Sequence, residues 1–284
     1  MDNIIIAKNI SYTYMKGSPL EKKALDDVSL TMKKGEFAAI IGHTGSGKST
    51  LIQHLNGLLK PDSGELVVAG LETAGRDLKE LRKKVGIVFQ YPEHQLFEET
   101  VYKDIEFGLL KQNIPDEERA RRIKETASIL ELSESILQKS PYEISGGQKR
   151  RAAIAGVLVL EPEILVLDEP AAGLDPAGTR ELFDIVTQLY REKQITVILV
   201  SHSMELVGDY ASRIIVMNEG RISHDGTPSE IFGLGDELEK IGLGTPQISK
   251  LMARLSSFYP GLRKDVFTVG DAQRAIMEYM RAGK

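Results

Sequence analysis

The sequence predicts an α/β fold built on a mostly parallel sheet covered by helices. Two observations carry this. Short β-branched runs alternate with longer helix-like segments along most of the chain. Three of the runs, 37–41, 164–167 and 197–200, are almost wholly apolar, as strands covered on both faces must be. A chain of 284 residues is long enough for one large domain with a smaller appendage and can bury a proper core.

Taken in order, strands are expected at 4–10, 36–41, 65–69, 85–89, 163–167, 196–200 and 213–217. A glycine-rich loop follows the second of these and opens a helix over 50–59. The stretch 91–159 reads differently. Pro115 followed by Asp116 and Glu117 marks a helix start, and Ile123, Ala127 and Leu130 continue a polar–apolar helical pattern. It is read as a helical subdomain inserted between two parts of a sheet domain spanning 1–220. From 221 to 284 an extension is expected, punctuated at 226–228, 233–235 and 242–246 and carrying two helix-like pieces, 246–256 and 269–280.

Composition removes several classes. At 42% hydrophobic and 27% charged the chain is ordinary globular protein. A net charge of -5 disfavours a nucleic-acid binder, and the basic run 119–124 is read as a solvated helix face. With no cysteine, disulfide and thiolate chemistry are excluded. The opening MDNIIIAKN lacks the basic region and long apolar run of a signal peptide. The longest apolar stretch, 152–160, ends at Glu161, too short to span a bilayer. Any membrane role is expected to run through a partner.

The chemistry begins at Gly42-His43-Thr44-Gly45-Ser46-Gly47-Lys48-Ser49, followed by Thr50. This is the phosphate-loop pattern, placed between a strand and a helix as it must be. The glycines let successive N–H groups turn toward phosphates at a helix N-terminus, Lys48 neutralises β/γ-phosphate charge, and the Ser49 hydroxyl can ligate Mg²⁺. Asp168 and Glu169 end an apolar strand. Alone they would be solvated turn carboxylates. With a phosphate loop upstream, Asp168 reads as a direct or indirect Mg²⁺ partner, and Glu169 as the base that polarises water for attack on the γ-phosphate. Gln90 and His202 follow two further strands, at the ends where parallel sheets hold ligands.

Between the phosphate loop and these carboxylates lies Ile144-Ser145-Gly146-Gly147-Gln148. At these residues the chain resembles the nucleotide-binding subunits of ATP-binding-cassette proteins, and the resemblance runs from about Ile4 to Arg221. It implies a RecA-like sheet domain with an antiparallel β edge and an inserted helical signature subdomain. It also implies that the Ser145–Gln148 turn serves the ATP of a neighbouring subunit, so the chain would be half of a catalytic dimer. Gln90 matches the family's glutamine loop, reaching Mg²⁺ or the attacking water. His202 matches its histidine switch, holding the γ-phosphate and orienting Glu169. Asp175, in AAGLD, matches the loop by which subunits touch each other's sites; Ala171 replaces the Ser or Thr often found there, and Ile144 replaces a commoner Leu. The family's adenine-stacking aromatic falls on Tyr14, with Tyr12 a near rival. His43 is a loop position here, and no imidazole chemistry is given to it or to His54, His94 and His224.

The segment 92–100, PEHQLFEET, most resembles the ATPases of energy-coupling-factor transporters, which import vitamins and metal ions in prokaryotes. The resemblance implies a second ATPase subunit, identical or similar, a transmembrane coupling subunit and a substrate-binding membrane protein. It places the chain as a peripheral protein on the cytoplasmic face of the membrane, and gives the 221–284 extension a role in holding the ATPase pair. Leu96 and Phe97 are expected in the groove for membrane helices. The rival is a soluble cassette ATPase acting on DNA or ribosomes. Against it, the interval 51–144 shows no sustained heptads and the chain carries one cassette rather than two. A GTPase would need an Asn-Lys-x-Asp guanine reader, which the sequence lacks. The imported substrate is not legible, because such an ATPase never touches it.

Overall fold

Strand residues alternate between two faces, so a strand buried throughout must separate two cores. In the computed structural model, which describes residues 2–75 and 78–283, ten strands form two sheets. They are β1 (Asn3–Tyr14), β2 (Lys22–Lys33), β3 (Phe37–Ile41), β4 (Ser63–Val68), β5 (Leu71–Glu72), β6 (Val85–Val88), β7 (Ile164–Asp168), β8 (Thr196–Val200), β9 (Arg213–Asn218) and β10 (Arg221–Gly226). A six-stranded sheet runs β10-β9-β3-β8-β7-β6, parallel except for β10, which pairs antiparallel with β9. The other sheet, β2-β1-β4-β5, is antiparallel.

The helices are α1 (Lys48–Leu55), α2 (Leu78–Lys84), α3 (Val101–Lys111), α4 (Asp116–Ile129), α5 (Glu134–Leu137), α6 (Gly146–Leu158), α7 (Pro176–Lys193), α8 (Met204–Tyr210), α9 (Pro228–Phe232), α10 (Gly235–Lys240), α11 (Gln247–Phe258) and α12 (Val269–Arg281). Strand β3 shows the layering. Ala38 and Ile40 join a core with β1, β2, β4 and the α1 residues Leu51, Ile52 and Leu55. Phe37, Ala39 and Ile41 join the opposite core, filled by α3 to α8. Each large apolar side chain fully buried there contributes about 1.5–3 kcal/mol. The frame carrying the strand ends is therefore rigid.

All seven expected strands are present, and three more lie outside the reading. In β2 the residues Val28, Leu30 and Met32 face inward between exposed Ser29, Thr31 and Lys33. Asp26 and Asp27 interrupt that alternation, Asp27 with φ 57°, so the period is legible over only half the strand. Strand β5 is two residues long. Strand β10 is a polar edge, RISHDG, with no fully buried side chain. Its pairing carries the sheet beyond residue 220, and α9 and α10 follow it with Ile231, Phe232, Leu238 and Leu243 in the main core. A separate small core, Met252, Leu262, Val266, Ala272 and Ala275, belongs to α11, α12 and the segment between them.

Candidate active site

Strand register decides which loops meet. Ile40 pairs with Val200, Leu199 with Leu167, and Leu167 with Val88. The residues just beyond these rows are Gly42, His202, Asp168–Glu169 and Gln90, on four neighbouring strands about 4.8 Å apart. The chain crosses over β3 to pass from β8 to β9, so β3 sits where the strand order reverses. Ligands of open parallel sheets bind at such a point, beyond the strand carboxyl ends.

The phosphate loop curls over the end of β3. A Cβ on Gly42 would stand 2.4 Å from the Met217 carbonyl oxygen, and one on Gly47, at φ 106°, would stand 2.6 Å from the Ala24 carbonyl oxygen. Only glycine fits either position. Ser46 is fully buried, its N–H donates to the His43 carbonyl, and its own carbonyl accepts from Gly220 N–H. His43 is a strut: its Nε2 lies 3.1 Å from Asn218 Oδ1 on β9. Thr44 and Gly45 form the exposed tip. Lys48 Nζ donates to the Gly42 carbonyl at 2.6 Å and the His43 carbonyl at 2.9 Å, holding its ammonium over the loop. Burial lowers the Lys48 pKa, while the charges of Glu169 and Asp168 act to raise it.

Asp168 is buried, and burial raises its pKa, reinforced by the neighbouring Glu169 charge and opposed by the Ser49 hydrogen bond and Lys48. Glu169 follows with φ 50°, a left-handed conformation that costs about 1–2 kcal/mol outside glycine. Its N–H donates to the Val200 carbonyl at 2.9 Å, which fixes the turn. Its carboxylate Oε2 lies 2.8 Å from His202 Nδ1; the imidazole is 78% exposed and the carboxylate side chain 17%. Ser49 and Asp168 present a hydroxyl and a carboxylate within hydrogen-bonding reach of one another, the all-oxygen donors a Mg²⁺ ion prefers. Among the described residues no group of three or more His, Cys, Asp or Glu is disposed to hold a metal. A cation here would take its remaining ligands from phosphate and water.

Tyr14 and Tyr12 separate cleanly. Tyr12 packs edge-on against His54 and Tyr14, each at 4.9 Å between ring centroids. Tyr14 is 36% exposed, lies 3.3 Å from the buried Thr50 hydroxyl, and lines a cleft with Lys22, Ala24, Lys48 and Ser49. His54 is fully buried with Nδ1 on the Thr50 carbonyl, and burial depresses its pKa. It is a core histidine.

Ser145–Gln148 stands apart from this cluster, at the start of α6. Ser145 Oγ accepts from Gln148 N–H, and Gln148 Oε1 accepts from Ser145 N–H, a reciprocal capping box. All four residues Ser145–Gln148 keep contact with solvent, and a Cβ on Gly146 or Gly147 would meet nothing within 4 Å. This chain's own packing does not require glycine at either place. Asp175 is likewise exposed; it caps α7 by accepting from Gly178 N–H at 2.7 Å. Gln90 is exposed just beyond the end of β6, and Tyr91 after it adopts φ 54°.

A model of the ABC transporter family matches residues 25–172, which include the phosphate loop, Gln90, Ser145–Gln148 and the Asp168–Glu169 pair. The chain belongs to that family. An energy-coupling factor transporter ATP-binding protein, EcfA2, of Acetivibrio thermocellus is 56% identical over 96% of this chain and 97% of its own. The same-named protein of Clostridium tetani is 50% identical over 95% of each. Among solved structures, cbiO1 of Clostridium perfringens, part of the ABC transporter complex cbiONQ, superposes with a TM-score of 0.75 at 38% identity, covering 89% of this chain and all of that one.

One residue of this ABC ATPase escapes a motif search. Arg150, on α6, is buried, its side chain only 6% exposed, and forms a bidentate pair with Glu93, Nη2–Oε1 at 2.8 Å and Nε–Oε2 at 3.0 Å. Burial acts to raise the Glu93 pKa, but the Arg150 hydrogen bonds prevail and hold it below the usual carboxylate range. The third contact of Arg150 runs from Nη1 to the Pro170 carbonyl at 3.2 Å. A signal does exist: Arg150 shares the four-residue spacing of buried Ile154 and Leu158, so it points inward and must find an acid.

Proposed function

We propose that this chain is the ATP-hydrolysing subunit of an energy-coupling-factor importer, acting as half of an ATPase dimer on the cytoplasmic face of a prokaryotic membrane and driving uptake of a vitamin or metal ion. The observation that carries the chemistry is the row of Lys48, Asp168, Glu169 and His202 at the carboxyl ends of neighbouring strands, with Glu169 held 2.8 Å from His202. Backbone N–H groups of 42–50 cradle the phosphates and Lys48 balances their charge. Tyr14 stacks on adenine. Ser49 and Asp168 would hold Mg²⁺, with Gln90 placed to reach it or the attacking water. Bound there, the ion would supply charge neutralisation of the phosphates. Glu169 accepts the proton of the attacking water, and His202 orients Glu169 and meets the γ-phosphate. The exposed N-terminus of α6 offers Ser145 and the unobstructed Gly146–Gly147 backbone to a partner subunit's γ-phosphate. Asp175 meets the partner beside it. A solved ATP-binding cassette, dimeric and bound to ADP and Pi, matches the fold with a TM-score of 0.70 at 32% identity over 78% of this chain and 98% of its own, which supports the paired arrangement.

The coupling partners are a transmembrane subunit and a substrate-binding membrane protein; among the described residues no helix is long and apolar enough to cross a membrane. The docking face lies just after Gln90. Phe97 is 64% exposed and meets Phe107 edge-on at 5.1 Å, with Leu110 also exposed. Leu96, expected beside Phe97, instead packs against the main core, because the turn at Pro92–Gln95 points the two neighbours opposite ways. Exposed Leu251, Phe258, Val269 and Met280 on α11 and α12 support a subunit contact for the extension. Phe97→Asp is expected to weaken association with the membrane subunits about 10- to 30-fold. Vesicle uptake should fall with it, while ATP binding in solution is kept. Unchanged assembly and uptake would place the docking face elsewhere.

A further inference from the structure

A single guanidinium joins three segments that the proposed mechanism uses separately. Arg150 sits five residues into the helix that Ser145 caps, about 7.5 Å along its axis. Its fork grips Glu93 through both carboxylate oxygens, and Glu93 lies in the turn between Gln90 and the exposed Phe97. Its remaining nitrogen donates to the carbonyl of Pro170, the residue after Glu169. Such a fork fixes angle as well as distance, so displacement of any one segment is passed to the other two. A buried ion pair is often no more stabilising than apolar side chains of the same volume. Stability alone therefore gives little reason for an arginine at this place.

Resting on the assignment of Glu169 as the hydrolytic base, we infer that Arg150 is a positioning residue that ties the docking segment to the base loop and to the helix serving the partner's ATP. It touches neither nucleotide nor metal. Force applied at the Phe97 face reaches Glu93 first, then the guanidinium, then Pro170 and the α6 N-terminus together.

The test uses the membrane complex purified through a tag on this chain, with Arg150→Lys, Glu93→Gln and the double variant, at a temperature where all remain folded. Lysine keeps the charge and loses the fork, and glutamine keeps the shape and loses the charge. Each single variant should lower kcat by about ten- to a hundredfold with the KM for ATP nearly unchanged, since a small misplacement of a catalytic group has that effect. The double variant should be no worse than the worse single, because all three break one linkage. Uptake per ATP hydrolysed should fall in every variant. Wild-type kcat in either single variant, or losses that follow thermal stability alone, would overturn the inference and leave the ATPase reading intact. No hydrolysis by the wild-type complex would overturn that reading, and the inference with it.

Discussion

Glu169→Gln is expected to leave ATP affinity nearly unchanged and to lower turnover by about 10²–10⁴, the range over which a positioned base acts. The amide keeps the shape of the carboxylate, and its oxygen still accepts from His202 Nδ1 across the same 2.8 Å. The left-handed turn at φ 50° and its bond to the Val200 carbonyl are unaffected by the change. What disappears is the capacity to take a proton from water. Phosphate release in the assembled complex measures the loss, and equilibrium titration with ATP measures what is kept. Near-normal turnover would remove Glu169 from the base role and leave the strand ends as a binding site.

Lys48→Ala should fail differently, with binding and hydrolysis falling together. The Lys48 ammonium holds the Gly42 and His43 carbonyls and faces the Asp168 and Glu169 charges, so its loss both loosens the loop and leaves two carboxylates without a cation. Charge-assisted hydrogen bonds contribute about 1.5–3 kcal/mol each, so affinity for ATP should drop at least about tenfold to a hundredfold. Titration of the variant with ATP, alongside a thermal melt to show that it folds, checks this. Full affinity with lost turnover would mean that Lys48 acts in the chemical step alone.

Much of this arrangement is legible from residues because it rests on local rules. The phosphate loop is recognisable because Gly42 and Gly47 are the residues that backbone crowding demands. The strands β3, β7 and β8 announce themselves because burial on both faces leaves polar residues only at strand ends, Asp168 in β7 and Thr196 in β8. Where signals are shared or weak, the sequence falls short. Strand β10 buries no side chain fully and carries a single apolar residue, Ile222, so the edge of the sheet reads as the start of the extension. Leu96 and Phe97 are equally apolar neighbours, and only the preceding turn sends one inward and the other out. Arg150 lies in the run Lys149-Arg150-Arg151, which reads as a solvated basic surface until helical spacing turns its middle member toward Glu93. The Ser145–Gln148 turn is ambiguous in another way: its side chains cap α6, yet capping explains neither glycine.

Those two glycines point to a site shared between subunits, which one substitution can separate from the chain's own nucleotide site. Ser145→Arg fills the exposed N-terminus of α6 with a bulky side chain while leaving this chain's phosphate loop untouched. Losing the cap costs about 1 kcal/mol, small beside the stability of the domain. The measurement is ATP affinity of the isolated chain set against turnover of the assembled complex, for wild type and variant together. Unchanged affinity is expected in the isolated chain, with turnover near background in the complex. Unchanged turnover, or an equal loss of affinity in the isolated chain, would contradict a site completed by the partner.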